Sequence, residues 1–591
     1  MQAVADPLAR LPPELVLRVV EFASLSTLAA LTVVSKAWHR FIDVTHQETI
    51  YSSKVGECRR DLSAVADIPT FSQWFDDVKS WKDLCRRKTL LDGNWARAHP
   101  ASRDLVLQIN DDPVWRFRAD LKRRFIISTS HAGGLNVTDL DTGEILWRLP
   151  STLDSDAEQA VRPYAHLEYQ DGMAVFDREG DAVEVWQADL DDAPRGEFRR
   201  IAILDHDCQT RGFQLSYSTL CVVSTQGQGF IYDMTKRPPT RTTHLTIEND
   251  AVGHLDQSHD AVMYSMGPRG YHVYSKSTGE LMGVLQPSEC TERYHISPSP
   301  GTFSGETRPM TASRHGSTAP VSLGPAGSDR LMPIQVARGR LPLPSDPDHV
   351  RNGEDEWGAG MEDNGLFVGV SRAGRVFVCS DWRKALQDSK SFQAHSAIIE
   401  CESDGSTFDL GGWLSVRNSR LMFEVEDRAF IVALDENGRV QDPDRPLRAS
   451  YSLYTSSTPQ LAVPVSFMAI YEDCIMTTYT TLGRRLQNRD PAAQALQDGL
   501  SRIFPTKTVR IISLAPDPPP GADANPEDSR FANTGLWNFD QQPLTADAAL
   551  RSQALLQLLD IFQGEFAEVD DGAEHDVDDE WEDLDDHEGV E

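Results

Sequence analysis

From about residue 104 onward, short apolar runs alternate with turn residues at fairly regular distances. This spacing predicts short strands joined by tight turns, because strands are rich in apolar residues and Gly or Asp permits the turn. The pattern continues to about residue 515, so most of this 591-residue chain is expected to be β. It is clearest at 124–130, 134–149, 172–190, 219–234, 261–285, 365–381, 428–440 and 467–481.

One strand–turn–strand pattern occurs twice in this β region. The turn Thr-Gly-Glu is found at Gly143 and again at Gly279, each time between two apolar segments. The two glycines are 136 residues apart (279 − 143 = 136), about three periods of the ~45 residues expected for a propeller blade. The sequence therefore predicts a β-propeller of about seven blades at 104–515, with ~40–50 residues for each blade.

Two segments interrupt or follow the β region. Residues 287–350 contain ten prolines and many Ser, Thr and Gly, a composition that buries little apolar surface, so we predict a disordered insertion. After the β region we predict a linker at 516–544, an amphipathic helix at 545–563 and an acidic disordered tail at 564–591.

The N-terminal part of the chain has a helical pattern instead. Residues 6–45 contain three short helical segments, and 46–103 form a charged helical linker. In the first helix, Leu15, Val19 and Phe22 fall at i, i+4 and i+7 and so form one apolar stripe. A unit of about 40 residues needs a partner or a neighbouring domain for stability. The predicted fold class is thus multidomain, helical at the N-terminus and all-β afterwards.

Charge and cysteine content restrict the classes of function. The net charge is −33, which disfavours broad binding to nucleic acid or to an anionic membrane. Residues 565–591 hold 15 carboxylates and no Lys or Arg, so almost half of this charge lies in one short segment. The eight cysteines form no Cys-x-x-Cys pair, and neither a signal peptide nor a long apolar span is recognised. We expect a soluble protein of the cytoplasm or nucleus.

Two short motifs mark the first forty residues. Leu11–Leu15 has the sequence Leu-Pro-Pro-Glu-Leu, and Val34–Trp38 has the sequence Val-Ser-Lys-Ala-Trp. Together they resemble an F-box, with Ser in place of the usual Cys. Further along, Trp81–Trp95 resembles the linker of F-box proteins with WD-type propellers, where Trp-Lys leads through a basic helix to Asn-Trp. No Trp-Asp dipeptide closes a strand, so the resemblance is to a divergent WD-like propeller of fungal type.

This resemblance implies a non-catalytic substrate receptor of an SCF ubiquitin ligase. The F-box would bind the Skp adaptor and, through it, cullin, while the propeller would bind a target protein at a degron that is often phosphorylated. The positions that match adaptor contacts are Leu8, Leu11, Pro12, Leu15, Val19, Leu28, Leu31 and Val34. The positions assigned to the core of the F-box are Phe22, Trp38 and Phe41.

The target-binding residues are not identified by the sequence. Basic side chains suited to a phosphorylated degron include Arg116, Arg118, Arg211 and Arg269. No motif for nucleotide binding or nucleophilic catalysis is found, and no cofactor or metal is expected. Two alternatives stay open: a propeller scaffold acting outside ubiquitination, and a quinone-cofactor propeller suggested by the segment that ends at Trp147.

Overall fold

The computed structural model describes most of the chain except the centre of the insertion and most of the C-terminal segment. The described residues are 6–55, 61–62, 67–109, 112–155, 157–178, 182–190, 193–247, 254–298, 331–342, 356–401, 413–425, 428–456, 463–484, 503–516 and 536–537. The predicted helix at 545–563 and the acidic tail at 564–591 lie outside these residues.

The N-terminal region is helical, as predicted. Pro13 suits the first turn of its helix because no intrahelical partner exists there for the N–H that proline lacks. The α-helices of this region are α1 (Pro7–Arg10), α2 (Pro13–Glu21), α3 (Leu25–Val34), α4 (Lys36–His39), α5 (Gln47–Ser52) and α6 (Trp81–Trp95). A π-helical turn, Arg40–Thr45, joins α4 to α5, and a 3₁₀ turn, Ser53–Val55, follows α5.

The β prediction is confirmed, and the strands form antiparallel sheets of consecutive strands. After β1 (Arg103–Leu107), four such sheets follow in chain order within the described ranges. The first contains β2 (Val114–Asp120), β3 (Phe125–Ser130), β4 (Leu135–Asp139) and β5 (Ile145–Leu149). The second contains β6 (Leu167–Gln170), β7 (Met173–Asp177), β8 (Ala182–Gln187) and β9 (Arg199–Asp205).

The third and fourth sheets repeat the same plan. The third contains β10 (Thr210–Ser216), β11 (Thr219–Ser224), β12 (Gln228–Asp233) and β13 (Thr240–Thr246). The fourth contains β14 (Leu255–Gln257), β15 (Ala261–Ser265), β16 (Tyr271–Ser275) and β17 (Leu281–Leu285). Both predicted Thr-Gly-Glu turns connect the third to the fourth strand of a sheet, where Gly143 and Gly279 have φ values of 72° and 75°.

A larger sheet of ten strands contains two more four-stranded groups joined by a hairpin. The hairpin consists of β18 (Arg293–Pro298) and β19 (Met332–Arg338). One group is β20 (Trp357–Asp363), β21 (Leu366–Ser371), β22 (Arg375–Cys379) and β23 (Ser396–Glu400); the other is β24 (Leu414–Arg417), β25 (Arg420–Val425), β26 (Arg428–Ala433) and β27 (Ser450–Tyr454). A 3₁₀ turn, Pro287–Glu289, precedes the hairpin, and α7 (Trp382–Ala385) and α8 (Ser389–His395) lie between β22 and β23.

The hairpin corrects the prediction of disorder at both ends of 287–350. Strand β18 pairs in parallel with β23, and β19 pairs with β27, so the two ends of the insertion bridge the outer edges of two strand groups. Local composition did not reveal this because the pairing is with strands distant in sequence. Residues 299–330 and 343–350 lie outside the described residues.

The last sheet is completed by the first strand of the β region. It contains β28 (Met468–Ile470), β29 (Cys474–Arg484), β30 (Ile503–Ser513), β1 and the two-residue strand β31 (Leu536–Trp537). Leu105 of β1 faces Ile511 of β30, so a strand from the start of the β region closes a sheet at its end.

The first strands of these groups also contact one another in succession. We call these first strands the inner strands: β2, β6, β10, β14, β20, β24 and β28. The first sheet also contacts the last, because β2 lies against β29 and β30. Sheets with this order and arrangement resemble the blades of a propeller.

One apolar cluster attaches the helices to the sheets. It runs from Val16 and Val20 of α2 through Trp95 of α6 to Tyr451 of β27 and Ile512 of β30. The helical region therefore shares a core with the last two strand groups. Among the described residues, no helix is both long and apolar enough to cross a membrane.

Candidate functional site

Helix α2 presents apolar side chains on two faces that lie about 100° apart around its axis. Val16 and Val20 are buried, whereas Leu15 is 53% and Val19 is 64% exposed. A helix with apolar residues on both faces packs one face on its own domain and leaves the other uncovered. The uncovered face is part of what we call the apolar face of the N-terminal unit, which consists of Leu11, Leu15, Val19, Phe22, Val33 and Val34.

Helices α3 and α4 begin at side-chain caps that fix their positions. The Ser24 hydroxyl accepts from the Thr27 N–H at 3.1 Å, and the Ser35 hydroxyl accepts from the Trp38 N–H at 3.2 Å. Serine caps satisfy N–H groups that have no partner inside the helix. Ser35, which takes the position of a Cys in the pattern that this segment resembles, is therefore the N-cap of α4.

The predicted adaptor-contacting residues divide into three classes in the structure. Leu11, Pro12, Leu15, Val19 and Val34 are exposed, and Leu8 and Leu31 are partly buried. Leu28 is fully buried, which corrects the prediction that it faces a partner. Its side chain packs in the cluster that joins helices to sheets, so no surface of it is left for a partner.

The predicted core residues also need one correction. Trp38 is buried and Phe41 is partly buried, with their rings 6.3 Å apart in an edge-to-face contact. Phe22, in contrast, is 81% exposed. It lies just beyond the last residue of α2. The guanidinium carbon of Arg18 lies over the Phe22 ring, 5.7 Å from the ring centroid. Val33, which the sequence analysis missed, is more exposed still.

A cleft of about 470 Å³ lies beside α2 in the same unit. It is lined by Leu8, Leu11, Pro13, Val16, Lys36, Ala37, Arg40, Phe41 and Thr45. The lining combines apolar side chains with the two cations Lys36 and Arg40. Such a surface suits a partner that offers apolar and acidic groups together.

The predicted linker motif ties this unit to the sheets. The Asn94 side chain donates to the carbonyls of Ala101 at 2.8 Å and Leu514 at 2.7 Å, and accepts from the Ala101 N–H at 2.9 Å. The Trp95 indole N–H donates to the Glu472 carbonyl at 3.1 Å. This Asn-Trp pair is buried, so it fixes the end of α6 against the last sheet.

A second anchor was not predicted from the sequence. The buried carboxylate of Asp473 accepts from the backbone N–H groups of Phe71 and Ser72, both at 2.8 Å. Burial raises the pKa of Asp473 above its usual value, although the hydrogen bonds from Ser72 and Phe71 offset part of this rise. Its sequence context, a turn between two strands, gave no sign of this role.

Basic and aromatic side chains lie where the inner strands begin. Arg116 lies near the start of β2, Arg211 near the start of β10, and His254 and Trp413 directly precede β14 and β24. Arg372 belongs to the same end, because its N–H donates to the carbonyl of Glu356, next to β20. We call Arg116, Arg211, His254, Arg372 and Trp413 the axial arginine site.

Trp413 contacts two other members of the axial arginine site. The guanidinium carbon of Arg116 lies 4.1 Å from the Trp413 ring centroid, and the His254 ring meets the same indole edge-on at 6.3 Å. Burial, together with the nearby charges of Arg116, Arg372 and Arg211, lowers the pKa of His254 to about 4. His254 is therefore neutral at pH 7, in surroundings dominated by cations.

The acidic side chains occupy the next level along the inner strands. Glu168 accepts from Arg118 at 2.5 Å and contacts the His166 ring at 2.9 Å. Burial would raise the pKa of Glu168, but Arg118 and His166 lower it to about 2. Burial raises the pKa of Asp256 to about 8, so this carboxyl is largely protonated at pH 7.

The four arginines suggested by sequence are thus not equivalent. Arg116 and Arg211 lie together at the start of the inner strands, and Arg118 is paired with Glu168. Arg269 lies in the turn between β15 and β16. In the described part of the chain, no group of three or more His, Cys, Asp or Glu side chains is arranged to hold a metal ion.

Comparisons with known proteins identify no family. No protein-family model matches the chain, and no curated protein matches it. Similar solved structures include BamB from Moraxella catarrhalis, at 10% identity and a TM-score of 0.34, covering 70% of this chain and 99% of BamB.

Two further solved structures show the same degree of similarity. The Cps50 (Swd1) β-propeller domain of Myceliophteria thermophila is 9% identical, with a TM-score of 0.36, covering 69% of this chain and 98% of that domain. Saccharomyces cerevisiae Sqt1 is 8% identical, with a TM-score of 0.34, covering 63% of this chain and 80% of Sqt1. With TM-scores below 0.5, none of these similarities identifies a function for this chain.

Proposed function

We propose that this chain is the substrate-recognition subunit of an SCF-type ubiquitin ligase. In this proposal residues 6–45 are an F-box that binds the Skp adaptor and, through it, cullin. The region 104–515 is a propeller that binds a target protein. Ubiquitin transfer is performed by other subunits, so the chain itself needs no catalytic residue.

The exposed apolar face of the N-terminal unit carries the proposal. Scattered exposed apolar residues are common on soluble proteins, but six large ones on a unit of about 40 residues favour an interaction surface. Covering the exposed part of a side chain such as Leu15 or Val19 contributes about 1–2 kcal/mol. A partner that covers this face therefore gains affinity from residues that the unit's own fold leaves in water.

The rigid attachment of the N-terminal unit supports the proposal. A receptor must hold its target at a fixed position relative to the adaptor, because the transfer chemistry takes place elsewhere in the complex. Asn94, Trp95 and Asp473 join the helices to the last sheet by buried hydrogen bonds. The shared apolar cluster adds to this attachment.

The strand groups also fit a closed propeller. We assign one blade to each inner strand and the strands that follow it, which gives seven blades. The last consists of β28, β29, β30 and β1, and its closure by β1 removes the free edge that an open series would have. A closed propeller presents loops from every blade around one axis, an arrangement suited to binding a peptide.

The first test is adaptor binding by the full chain. Leu15 and Val19 are changed together (Leu15→Asp, Val19→Asp), and binding to purified Skp adaptor is measured by titration calorimetry. We expect the affinity to fall at least about 100-fold, because two apolar contacts are lost and two charges are buried. The matched control is Leu153→Asp with Leu447→Asp, two exposed leucines of the β region.

Equal binding by both double variants would contradict the F-box assignment. A further variant, Leu11 and Pro12 both changed to Ala, tests the first motif by the same titration. If adaptor binds but no cullin is recovered with it, the chain acts instead as a propeller scaffold outside ubiquitination. Proteins that accumulate on the chain only when the proteasome is inhibited, and only with an intact F-box, are its substrates.

A further inference from the structure

Arg116 is a buried cation with unused hydrogen-bonding capacity. Its residue is only 9% exposed, yet its Nε and Nη1 atoms have no hydrogen-bond partner among the described residues. Burying an unpaired guanidinium is costly, and burial lowers the pKa of Arg116 to about 9. The stacked Trp413 ring offsets part of this cost, but it supplies no acceptor.

The acids nearest to Arg116 are already engaged with other cations. Glu168 pairs with Arg118 and contacts His166, while Asp177 pairs with Arg162. Elsewhere in the axial arginine site, Arg372 pairs with Glu356 at 3.2 Å, and both side chains are about half exposed. Within the described ranges, Arg116 and Arg211 therefore have no carboxylate partner, and the site has an excess of positive charge.

The same chain carries a segment of matching charge. Residues 565–591 hold 15 carboxylates and no Lys or Arg, and they lie outside the described residues. The strand β31 that precedes them pairs with Val106 and Leu107 of β1. β31 is the outer edge strand of the last sheet, four strands from the inner strand β28, so about 20 Å of sheet separates it from the inner strands that carry the axial arginine site.

The intervening length is sufficient to reach the site. Between Trp537 and Glu565 there are 28 residue steps (565 − 537 = 28), of which the helix predicted at 545–563 would span about 28 Å and the other steps about 17 Å. The β region, at about 410 residues, has an expected radius of gyration of about 22 Å. A tether of this length holds the acidic segment at an effective concentration near the millimolar range.

We propose that the acidic segment 565–591 is an intramolecular ligand of the axial arginine site, with one of its carboxylates paired to Arg116. The segment then occupies the end of the propeller axis where Arg211 and Arg372 stand at the surface. An external acidic or phosphorylated peptide would have to displace it. The pairing does not depend on adaptor binding and is tested without it.

The experiment uses a fluorescent peptide with the sequence of residues 565–591 and three full-length chains. The first is native. In the second, every Asp→Asn and Glu→Gln change is made between 565 and 591. The third adds Arg116→Gln to the second. Binding of the peptide is measured by fluorescence anisotropy at 50 mM and 200 mM salt.

We expect the peptide to bind the neutral-tail chain at least about tenfold more tightly than the native chain, whose own segment competes. Adding Arg116→Gln should weaken binding at least about tenfold, as expected for a lost charge-assisted hydrogen bond. Raising the salt should weaken the remaining binding, since screening reduces the attraction between charges. If Arg116→Gln lowers the melting temperature, Arg211→Gln with Arg372→Gln replaces it as the test, because both side chains are exposed.

Several results would overturn the proposal. One is equal peptide binding by the native and neutral-tail chains. Another is loss of binding on changing Arg86→Gln and Lys88→Gln, a basic surface on α6, with no loss on changing the axial arginines. Tight binding of a phosphorylated peptide of unrelated sequence, with none of the 565–591 peptide, would assign the site to an external ligand instead.

Discussion

The N-terminal helical unit and the β region place their apolar side chains in opposite ways. In the second strands of three of the sheets, β3, β7 and β15, every residue is buried. In the helical unit, large apolar residues such as Val19 and Phe22 are mostly exposed. The β region thus buries most of its large apolar side chains, because each sheet packs on its neighbours, whereas the helical unit leaves several of its own exposed to water.

The largest effect on the free energy of unfolding is expected at the junction of the two regions. Trp95 is buried in the shared cluster, with the Arg420 guanidinium carbon 4.4 Å from its ring centroid. Trp95→Ala should lower the free energy of unfolding by about 3–5 kcal/mol, because a large cavity opens between helices and sheet. Urea unfolding followed by circular dichroism measures this change, with Leu153→Ala at the surface as the control. An unchanged urea midpoint would show that the two regions do not share a core.

A smaller effect, dependent on pH, is expected at the propeller axis. Because burial raises the pKa of Asp256 to about 8, the folded chain keeps a proton that the unfolded chain loses near pH 4. The free energy of unfolding therefore falls as the pH rises from about 4 to about 8, by at most about 1.4 kcal/mol per pH unit. Asp256→Asn should flatten that slope between pH 5 and pH 8 in urea titrations. The same slope in Asp256→Asn and in the exposed control Asp444→Asn would contradict the assignment.

The smallest effect on stability is expected on the apolar face. Phe22→Ser should change the free energy of unfolding by no more than about 0.5 kcal/mol, since the ring is mostly in water. Thermal melts of the native and changed chains check this value, and adaptor titration measures the separate effect on binding. A decrease in the free energy of unfolding above about 1 kcal/mol would contradict this exposed position and support the sequence-based prediction that Phe22 belongs to the core.

The fate of Phe22 shows what a sequence pattern can and cannot determine. The stripe of Leu15, Val19 and Phe22 is a real helical face, but its period does not say whether the face points inward or outward. Val16 and Val20, one position further along, form the buried face instead. The direction depends on which surface the remaining helices cover, and that is decided by tertiary packing.

Within the β region, local patterns predicted the strands well and the distant pairings poorly. Strands around Gly143 and Gly279 follow from apolar alternation and turn residues, which act over a few residues. The pairings of β1 with β30 and of the β18–β19 hairpin join segments far apart in sequence. The axial arginine site was missed for the same reason, since its members come from separate strand groups.

The closure of the last sheet by β1 has a consequence for the order of folding during synthesis. Arg510 of β30 is hydrogen-bonded to Asp104, 406 positions earlier in the chain. While the ribosome makes the residues between them, β1 has no partner from β30 and its edge is exposed to other chains. At a synthesis rate of about 5–20 residues per second, that interval lasts about 20–80 seconds. Chaperone protection of the nascent chain is therefore most needed before residue 510 emerges.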